Sequence, residues 1–397
     1  MRILIAEDNL PMRQALEYFV LDWGHEPVIA QTGEQAWELF KKEHFSIVLS
    51  DWMMPGMDGM ELVRRIRAVQ TSYVFIIILT AKRQTNDLVE ILDAGADAFI
   101  SKPFERNELR AKLQGGLRII ELEQSLEERN HDLAAANEQM REDLAAAAEI
   151  QKAFLPAKMP EFPGFRFGWA FRPCEQLAGD MLNVFSLDEK HVALYLLDVS
   201  GHGIASSLMS VTLSRLLSPQ SLQHSLLKEP SDNERGYRIV PPAEVAARLN
   251  ERIMQGPTTK QFFTLLYGIL NTETKELRYV SAGHPGPLHM TARFAPVKLH
   301  GGPPAIGIFE AASYEEHSVT LKPGDRLFIY SDGLMEGADK EGQVFDENEL
   351  RCSIEETRPL PLQESIDSVM KMLEDWIEGS EETDDASMLG VEAGDGE

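Results

Sequence analysis

Between residue 1 and about residue 115 the chain alternates short, β-branched apolar runs with helix-like patterns. RILIA precedes LPMRQALEYFVLDWG, EPVIA precedes GEQAWELFKKE, and SIVLS precedes GMELVRRIRAVQ; VFIIILTA, LVEILDAGA and DAFIS continue the order. Runs this apolar leave no face for water, so each strand has to be covered on both sides. Helices between them make the strands parallel. The pattern therefore predicts an α/β domain with a doubly wound, five-stranded parallel sheet.

The character changes after that. From Leu117 the chain contains no Pro or Gly until Pro156. Ile119, Leu126, Leu133, Met140, Ala147 and Phe154 recur every seven residues, while the companion positions Glu123, Asn130, Asn137, Leu144 and Gln151 are mostly polar. One good stripe and one weak one fit a parallel, dimeric coiled coil with Asn in its seam. They also fit an amphipathic helix packed on its own domain. The expected boundaries are 1–116 for the first domain, 117–155 for a helical linker and 156–397 for a second domain.

Beyond Pro156, strand and turn patterns alternate, with helical stretches around SSLMSVTLSRLL and PPAEVAARLNERIMQ. The polar segment between those helices holds four prolines and is expected to loop out. FFTLLYGILNTETKELRYVSAG reads as a hairpin turning around residues 271–276. The net charge of −26 argues against a nucleic-acid partner, because phosphate backbones are held by clustered Lys and Arg. Cys174 and Cys352 have no C-x-x-C spacing, which suits a reduced cytoplasmic setting. The N-terminus lacks a signal-peptide pattern, and no apolar stretch approaches the roughly 18 residues of a membrane helix.

In an open α/β sheet, function collects at the carboxyl ends of the strands. Those ends deliver Glu7 and Asp8, Asp51, Thr80, and Lys102 just before Pro103. Three carboxylates call for a hard divalent ion such as Mg²⁺. That ion can neutralise an incoming phosphoryl group attacked by Asp51, while Thr80 and Lys102 hold the new phosphate oxygens. The E-D pair, D-x-x-M-P-G-M-D-G, T-A and S-K-P-F closely resemble the receiver domain of bacterial response regulators. The resemblance implies that Asp51 is the phosphoacceptor and that Glu7, Asp8, Asp51 and the Met53 carbonyl serve Mg²⁺. It makes Thr80, Phe99 and Lys102 the switch residues and implies a cognate histidine kinase.

Asp198, in LLDVSGHG, also rides out on an apolar run, but no hydroxyl or Lys-Pro strand end follows at receiver spacing. It is accompanied instead by Asp180 in LAGDMLNVF, Asp332 in YSDGLMEG and Asp384-Asp385 in TDDASMLGV. Carboxylates gathered without a fixed cation need divalent ions between them, and oxygen-only ligation points to Mg²⁺ or Mn²⁺. Paired ions can activate water for in-line attack on a phosphate, with no Ser or Cys nucleophile required.

The ordered motifs EIQKAFLP, G-D, D-V-S-G-H-G, F-x-T-L-x-Y, A-G-H-P-x-P-L, S-D-G-L-x-E and D-D-x-S resemble the metal-dependent serine/threonine phosphatases of the protein phosphatase 2C fold, in the bacterial sporulation-E-like branch. The resemblance implies an α/β/β/α sandwich with two Mn²⁺ or Mg²⁺ ions. Asp198 then bridges the metals with the Val199 carbonyl assisting, Asp332 and Asp384 complete one shell, and Asp180 acts directly or through water. His202 and Asp385 are further candidates. Asn183 stands where many relatives carry a carboxylate, which implies a weakened outer contact.

The expected protein is a cytoplasmic response regulator in which phosphorylation at Asp51 controls a protein phosphatase. Its expected substrate is a phosphorylated anti-sigma-factor antagonist, its expected assembly a homodimer through the linker, and nucleic acid and membrane are not expected partners. The alternative is a catalytically weak phosphatase fold serving as a protein-binding adaptor. Relatives use a helix like EIQKAFLP to couple an N-terminal sensor to the metal site, so movement of the linker is the expected route of control.

Overall fold

The computed structural model of the chain describes residues 1–70, 72–81, 85–219, 225–232, 236–256, 261–378 and 384–394. Two compact units divide at Gln139 and Met140. The first carries strands β1 (Arg2–Ala6), β2 (Glu26–Ala30), β3 (Ile47–Asp51), β4 (Phe75–Thr80) and β5 (Ala98–Ser101). They form one parallel sheet in the order β2-β1-β3-β4-β5. Its helices are α1 (Leu10–Asp22), α2 (Gly33–Lys42), α3 (Gly59–Val69), α4 (Thr85–Asp93) and the start of α5 (Arg106–Lys152). Two apolar cores, one around Leu4, Val48 and Ile76 and one around Ile3, Leu49 and Ile77, cover the two faces of the sheet. This is the doubly wound arrangement that the strand composition requires.

Helix α5 crosses the expected boundary at residue 116 without a break. Gly115 and Gly116 lie inside it, and a Cβ on Gly116 would sit 2.3 Å from the Phe75 ring. That close approach explains why a residue of poor helix propensity is used there. The heptad stripe splits into two environments. Leu126, Leu133 and Met140 are exposed, whereas Phe154, past the helix end, packs against the core of the second unit.

The second unit holds β6 (Phe165–Arg172), β7 (Met181–Ser186), β8 (His191–Val199), β9 (Lys228–Pro230), β10 (Tyr237–Ile239) and β11 (Phe263–Asn271). It continues with β12 (Glu276–Ala282), β13 (Leu288–Met290), β14 (Val297–Lys298), β15 (Glu316–Thr320), β16 (Arg326–Tyr330) and β17 (Ala386–Ala393). Two antiparallel five-stranded sheets result, ordered β15-β12-β11-β8-β7 and β14-β13-β16-β17-β6. Helices α6 (Ile204–Leu216) and α7 (Pro242–Met254) cover the first sheet; α10 (Leu362–Trp376) covers the second, with α9 (Glu347–Glu356) beside it and the short α8 (Gly333–Glu336) after β16. This is an α/β/β/α sandwich.

The hairpin turn at residues 271–276 forms as the sequence indicates, with Lys275 at φ 59 in the left-handed region. The proline-bearing segment differs from the expected loop, since Lys228–Pro230 and Tyr237–Ile239 pair as a short hairpin. An ion-pair network ties it down, joining Arg238 and Arg248 to Glu229 and Glu244. Residues 220–224 and 233–235 of that segment lie outside the described residues. The helices α9 and α10 are absent from the sequence reading, although α10 is strongly amphipathic and buries Ile366, Val369, Met370 and Leu373.

Candidate phosphoryl and metal sites

The β3–α3 connection places Asp51 at the first site. Asp58 caps α3 by accepting from the Glu61 N–H at 2.7 Å, and Gly59 N–H donates to the Trp52 carbonyl at 2.8 Å. A Cβ on Gly59 would fall 2.1 Å from the Asp51 carbonyl, so only glycine lets the helix start this close to the strand end. Carboxylate oxygens of Glu7, Asp8 and Asp51 lie within 4.8 Å of one another. Lys102 joins them, with Nζ 2.7 Å from Glu7 and 2.8 Å from Asp51. Glu7 is fully buried; burial raises its pKa, the Lys102 hydrogen bond lowers it, and the charge of Asp51 raises it again. Thr80 ends β4, buried, and its carbonyl accepts from the Lys102 N–H at 2.6 Å. Phe99 is half-buried on β5 against the core beside Ile76 and Ile78. Met53 is exposed in the loop after Asp51. Glu7, Asp8, Asp51 and Lys102 therefore gather at one sheet edge, with Thr80 at the end of the neighbouring strand. Three carboxylates beside an ammonium fit a hard divalent cation and an incoming phosphoryl group.

The second site forms where strand ends of the two sheets converge. Asp198 is next to last in β8, Asp332 stands two residues past the end of β16, and Asp384 and Asp385 precede β17. Burial raises the pKa of Asp198 to about 7, with Asp332, Asp384, Asp385 and Glu336 adding repulsion. Asp332 is raised by burial and by Asp384, and Glu336 by burial, Asp332 and Asp384. Asp180 is 1 % exposed and its pKa is pushed well up, by burial first and then by Asp198. Among the described residues, no Lys or Arg forms an ion pair with Asp180, Asp198, Asp332 or Asp384. Such a set is costly when charged and empty-handed, and oxygen donors without a cation fit hard divalent ions. Glu336, part of S-D-G-L-x-E, joins this field although the sequence reading assigned it no role.

The loop carrying Asp180 is gripped from two sides. Asp385 accepts from Cys174 N–H at 2.8 Å, Gly179 N–H at 2.6 Å and Asp180 N–H at 3.4 Å. Both of its oxygens are thus engaged in fastening backbone. Asp180 itself accepts from Ser387 Oγ at 2.5 Å. From the other side, the side-chain amide of Gln151 in α5 pairs with both backbone groups of Ala178, donating to its carbonyl at 2.7 Å and accepting its N–H at 3.1 Å. Gln151 stands in the polar companion stripe of the linker, and its contact has no signature in the spacing.

Glycines bring backbone close here as well. A Cβ on Gly179 would lie 2.8 Å from the Val199 carbonyl, and one on Gly333 would lie 2.1 Å from the Asp385 carbonyl. Two expected members stand elsewhere. Asn183 pairs with Tyr195 across β7 and β8, on the sheet face opposite Asp198, and its Oδ1 accepts from the Val184 N–H at 2.8 Å. Strand alternation therefore turns it away from the carboxylates, so it is no outer contact of the metal site. His202 is exposed at the rim, with Nδ1 3.1 Å from Glu175.

Residues 3–114 match the response regulator receiver domain family, and residues 188–394, more than half of the chain, match the stage II sporulation protein E (SpoIIE) family. The transcriptional regulatory protein PhoP of Escherichia coli (strain K12) is 37% identical over 119 residues, covering 30% of this chain and 52% of PhoP. The phosphate regulon transcriptional regulatory protein PhoB of Pseudomonas aeruginosa is 37% identical over 117 residues, covering 29% of this chain and 51% of PhoB. The chain thus spans about half the length of the curated relatives it matches. Among solved structures, the SiaA-PP2C domain of Pseudomonas aeruginosa is similar at 18% identity, with a TM-score of 0.54 over 65% of this chain and 99% of that one. That likeness is one of fold.

Proposed function

We propose, from the premise that the chain belongs to the stage II sporulation protein E (SpoIIE) family and carries a receiver domain, that it is a response regulator whose output is removal of phosphate from phosphoserine or phosphothreonine in a protein. The observation that carries this reading is the set Asp180, Asp198 and Asp332, raised in pKa by burial and mutual repulsion, with exposed Asp384 adding its charge to Asp198 and Asp332 and no paired cation among the described residues. Carboxylates kept in such a state for no purpose would be replaced at a gain in stability. Bound divalent ions would supply charge neutralisation and activation of water. The chain's own part is to hold the oxygens at a fixed spacing, which Asp385 and Gln151 do through the backbone around Asp180 and Ser387 does by donating to the Asp180 carboxylate.

At the receiver, Asp51 accepts the phosphoryl group from a histidine kinase, held by Lys102 and Thr80, with Glu7, Asp8 and the Met53 carbonyl serving Mg²⁺. Phosphorylation acts on the phosphatase through α5, which begins at Arg106 and ends in the turn that holds Gln151. Exposed Leu126, Leu133 and Met140 support pairing of this helix with a second copy as a coiled coil. Among the described residues no helix is long and apolar enough to cross a membrane, in keeping with a cytoplasmic setting. The substrate proposed is a phosphorylated anti-sigma-factor antagonist.

The test is Mn²⁺-dependent hydrolysis of p-nitrophenyl phosphate and of a phosphorylated antagonist, with and without acetyl phosphate. Activity should vanish in Asp198→Ala, and the acetyl phosphate response should vanish in Asp51→Ala. Absence of wild-type hydrolysis with Mn²⁺ and with Mg²⁺ would leave a binding adaptor as the function.

A further inference from the structure

His284, in A-G-H-P-G-P-L, takes no part in either site as described above, yet it is buried, 2 % exposed. It follows Gly283, whose φ of +71 and close approach to Ala305 make the tight turn that delivers the ring inward. Its Nδ1 is 2.8 Å from Thr264 Oγ1. Thr264 stands directly opposite Asp198 in the β8–β11 ladder. Directly opposed residues point to the same sheet face with Cβ atoms roughly 5 Å apart, so the Thr264 and Asp198 side chains are neighbours.

The other side of the ring faces the second sheet. The Tyr330 carbonyl favours the protonated ring there, without a well-formed hydrogen bond to the buried Nε2. Tyr330 ends β16, two residues before Asp332. Burial outweighs that carbonyl and holds the imidazole neutral, with a pKa lowered to about 3. A neutral imidazole has one donor and one acceptor. A carbonyl can only accept, so the proton belongs on Nε2, and Nδ1 accepts from the Thr264 hydroxyl. The ring thereby bonds the neighbour of Asp198 in one sheet and lies beside the strand end that leads to Asp332 in the other.

We infer that His284 is a positioning residue of the metal-binding centre, a neutral imidazole strut that sets the separation of Asp198 on one sheet from Asp332 on the other through Thr264 and Tyr330. The inference rests on the phosphatase reading. It gives A-G-H-P a role distinct from ligation, since His284 acts only through groups beside the carboxylates. Groups that hold ligands in place typically change metal affinity by about 10- to 100-fold when removed.

The test is Mn²⁺ binding to the full chain by titration calorimetry, with the binding lost in Asp198→Ala defining the C-terminal site. Thr264→Val and His284→Phe should each weaken that binding about tenfold. The double variant should be no weaker than the worse single one, because both break the same link. His284→Asn, which retains an acceptor near the Nδ1 position, should recover most of the affinity. Thr264→Val keeps its shape, so it carries the test if His284→Phe fails to fold. Unchanged Mn²⁺ affinity in folded Thr264→Val or His284→Phe would overturn the inference, even with a lowered melting temperature, and leave the phosphatase reading standing. Wild-type protein without Asp198-dependent binding would overturn both.

Discussion

Replacing Gln151 by Ala removes the clasp between α5 and the Asp180 loop. Ala178 is fully buried, and Gln151 satisfies both its carbonyl and its N–H. Each backbone group left facing the vacated space costs about 1–3 kcal/mol. Two such groups give about 2–6 kcal/mol, before the loss of packing against Ser210, whose Oγ lies 3.3 Å from the amide. Some of that cost would be relieved by water or by the loop moving. Movement displaces Asp180, two residues on. If about 1.4 kcal/mol of it falls on metal binding, the Mn²⁺ concentration for half-maximal hydrolysis rises tenfold. The remainder appears as thermal destabilisation, at about 2–4 °C per kcal/mol for a unit of this size. The assay is a Mn²⁺ titration of p-nitrophenyl phosphate hydrolysis alongside thermal melting in EDTA, each with and without acetyl phosphate. Gln151→Ala should require more metal and lose most of its response to acetyl phosphate. A variant that melts earlier yet keeps the wild-type metal requirement and response would refute the coupling and leave Gln151 as packing.

Three further outcomes are expected. The folded-state pKa of Asp198 is raised from 3.8 to about 7, so between those values the native chain holds a proton that the unfolded chain has released. Metal-free stability should therefore fall as pH rises from about 4 to about 7 and level off above; Asp198→Asn should flatten that slope in thermal melts, and added Mn²⁺ should oppose it in wild type alone. Gly333→Ala puts a methyl 2.1 Å from the Asp385 carbonyl, so backbone must shift, and we expect a lower melting temperature together with at least tenfold less hydrolysis. Leu133→Lys, at an exposed seam position of α5, should leave the melting of each unit unchanged and reduce dimer content by analytical ultracentrifugation.

The first unit was nearly readable from the sequence. Its strands are short and apolar enough to be recognised singly, parallel order follows from the helices between them, and function in such a sheet collects at strand ends. Glu7, Asp8, Asp51, Thr80 and Lys102 needed only that rule to be placed together. In the second unit the acidic residues announce themselves because each punctuates an apolar run near glycine or another small residue. Helix α10 carries a strong amphipathic period in Ile366, Val369, Met370 and Leu373, but no chemical motif marks it.

What the sequence determined by itself, then, is the identity of the chemical groups and the kind of surface each must sit on. Local periodicity and residue type carry that information without reference to distant parts of the chain. Tertiary structure alone decided which groups meet. Asn183 and Asp198 both occupy strands of the same sheet, yet the β7–β8 register puts them on opposite faces, a distinction that a one-residue slip would reverse. Asp385, a candidate ligand in T-D-D-A-S, is brought by the fold to accept from the amides of residues 174, 179 and 180, with ligand atoms of Asp384 and Cys174 within 4.8 Å. Gln151 and His284 gain their roles from partners 27 and 20 residues away. A buried polar group must find its partner wherever the fold brings one, so such pairings exist only once the sheets have packed.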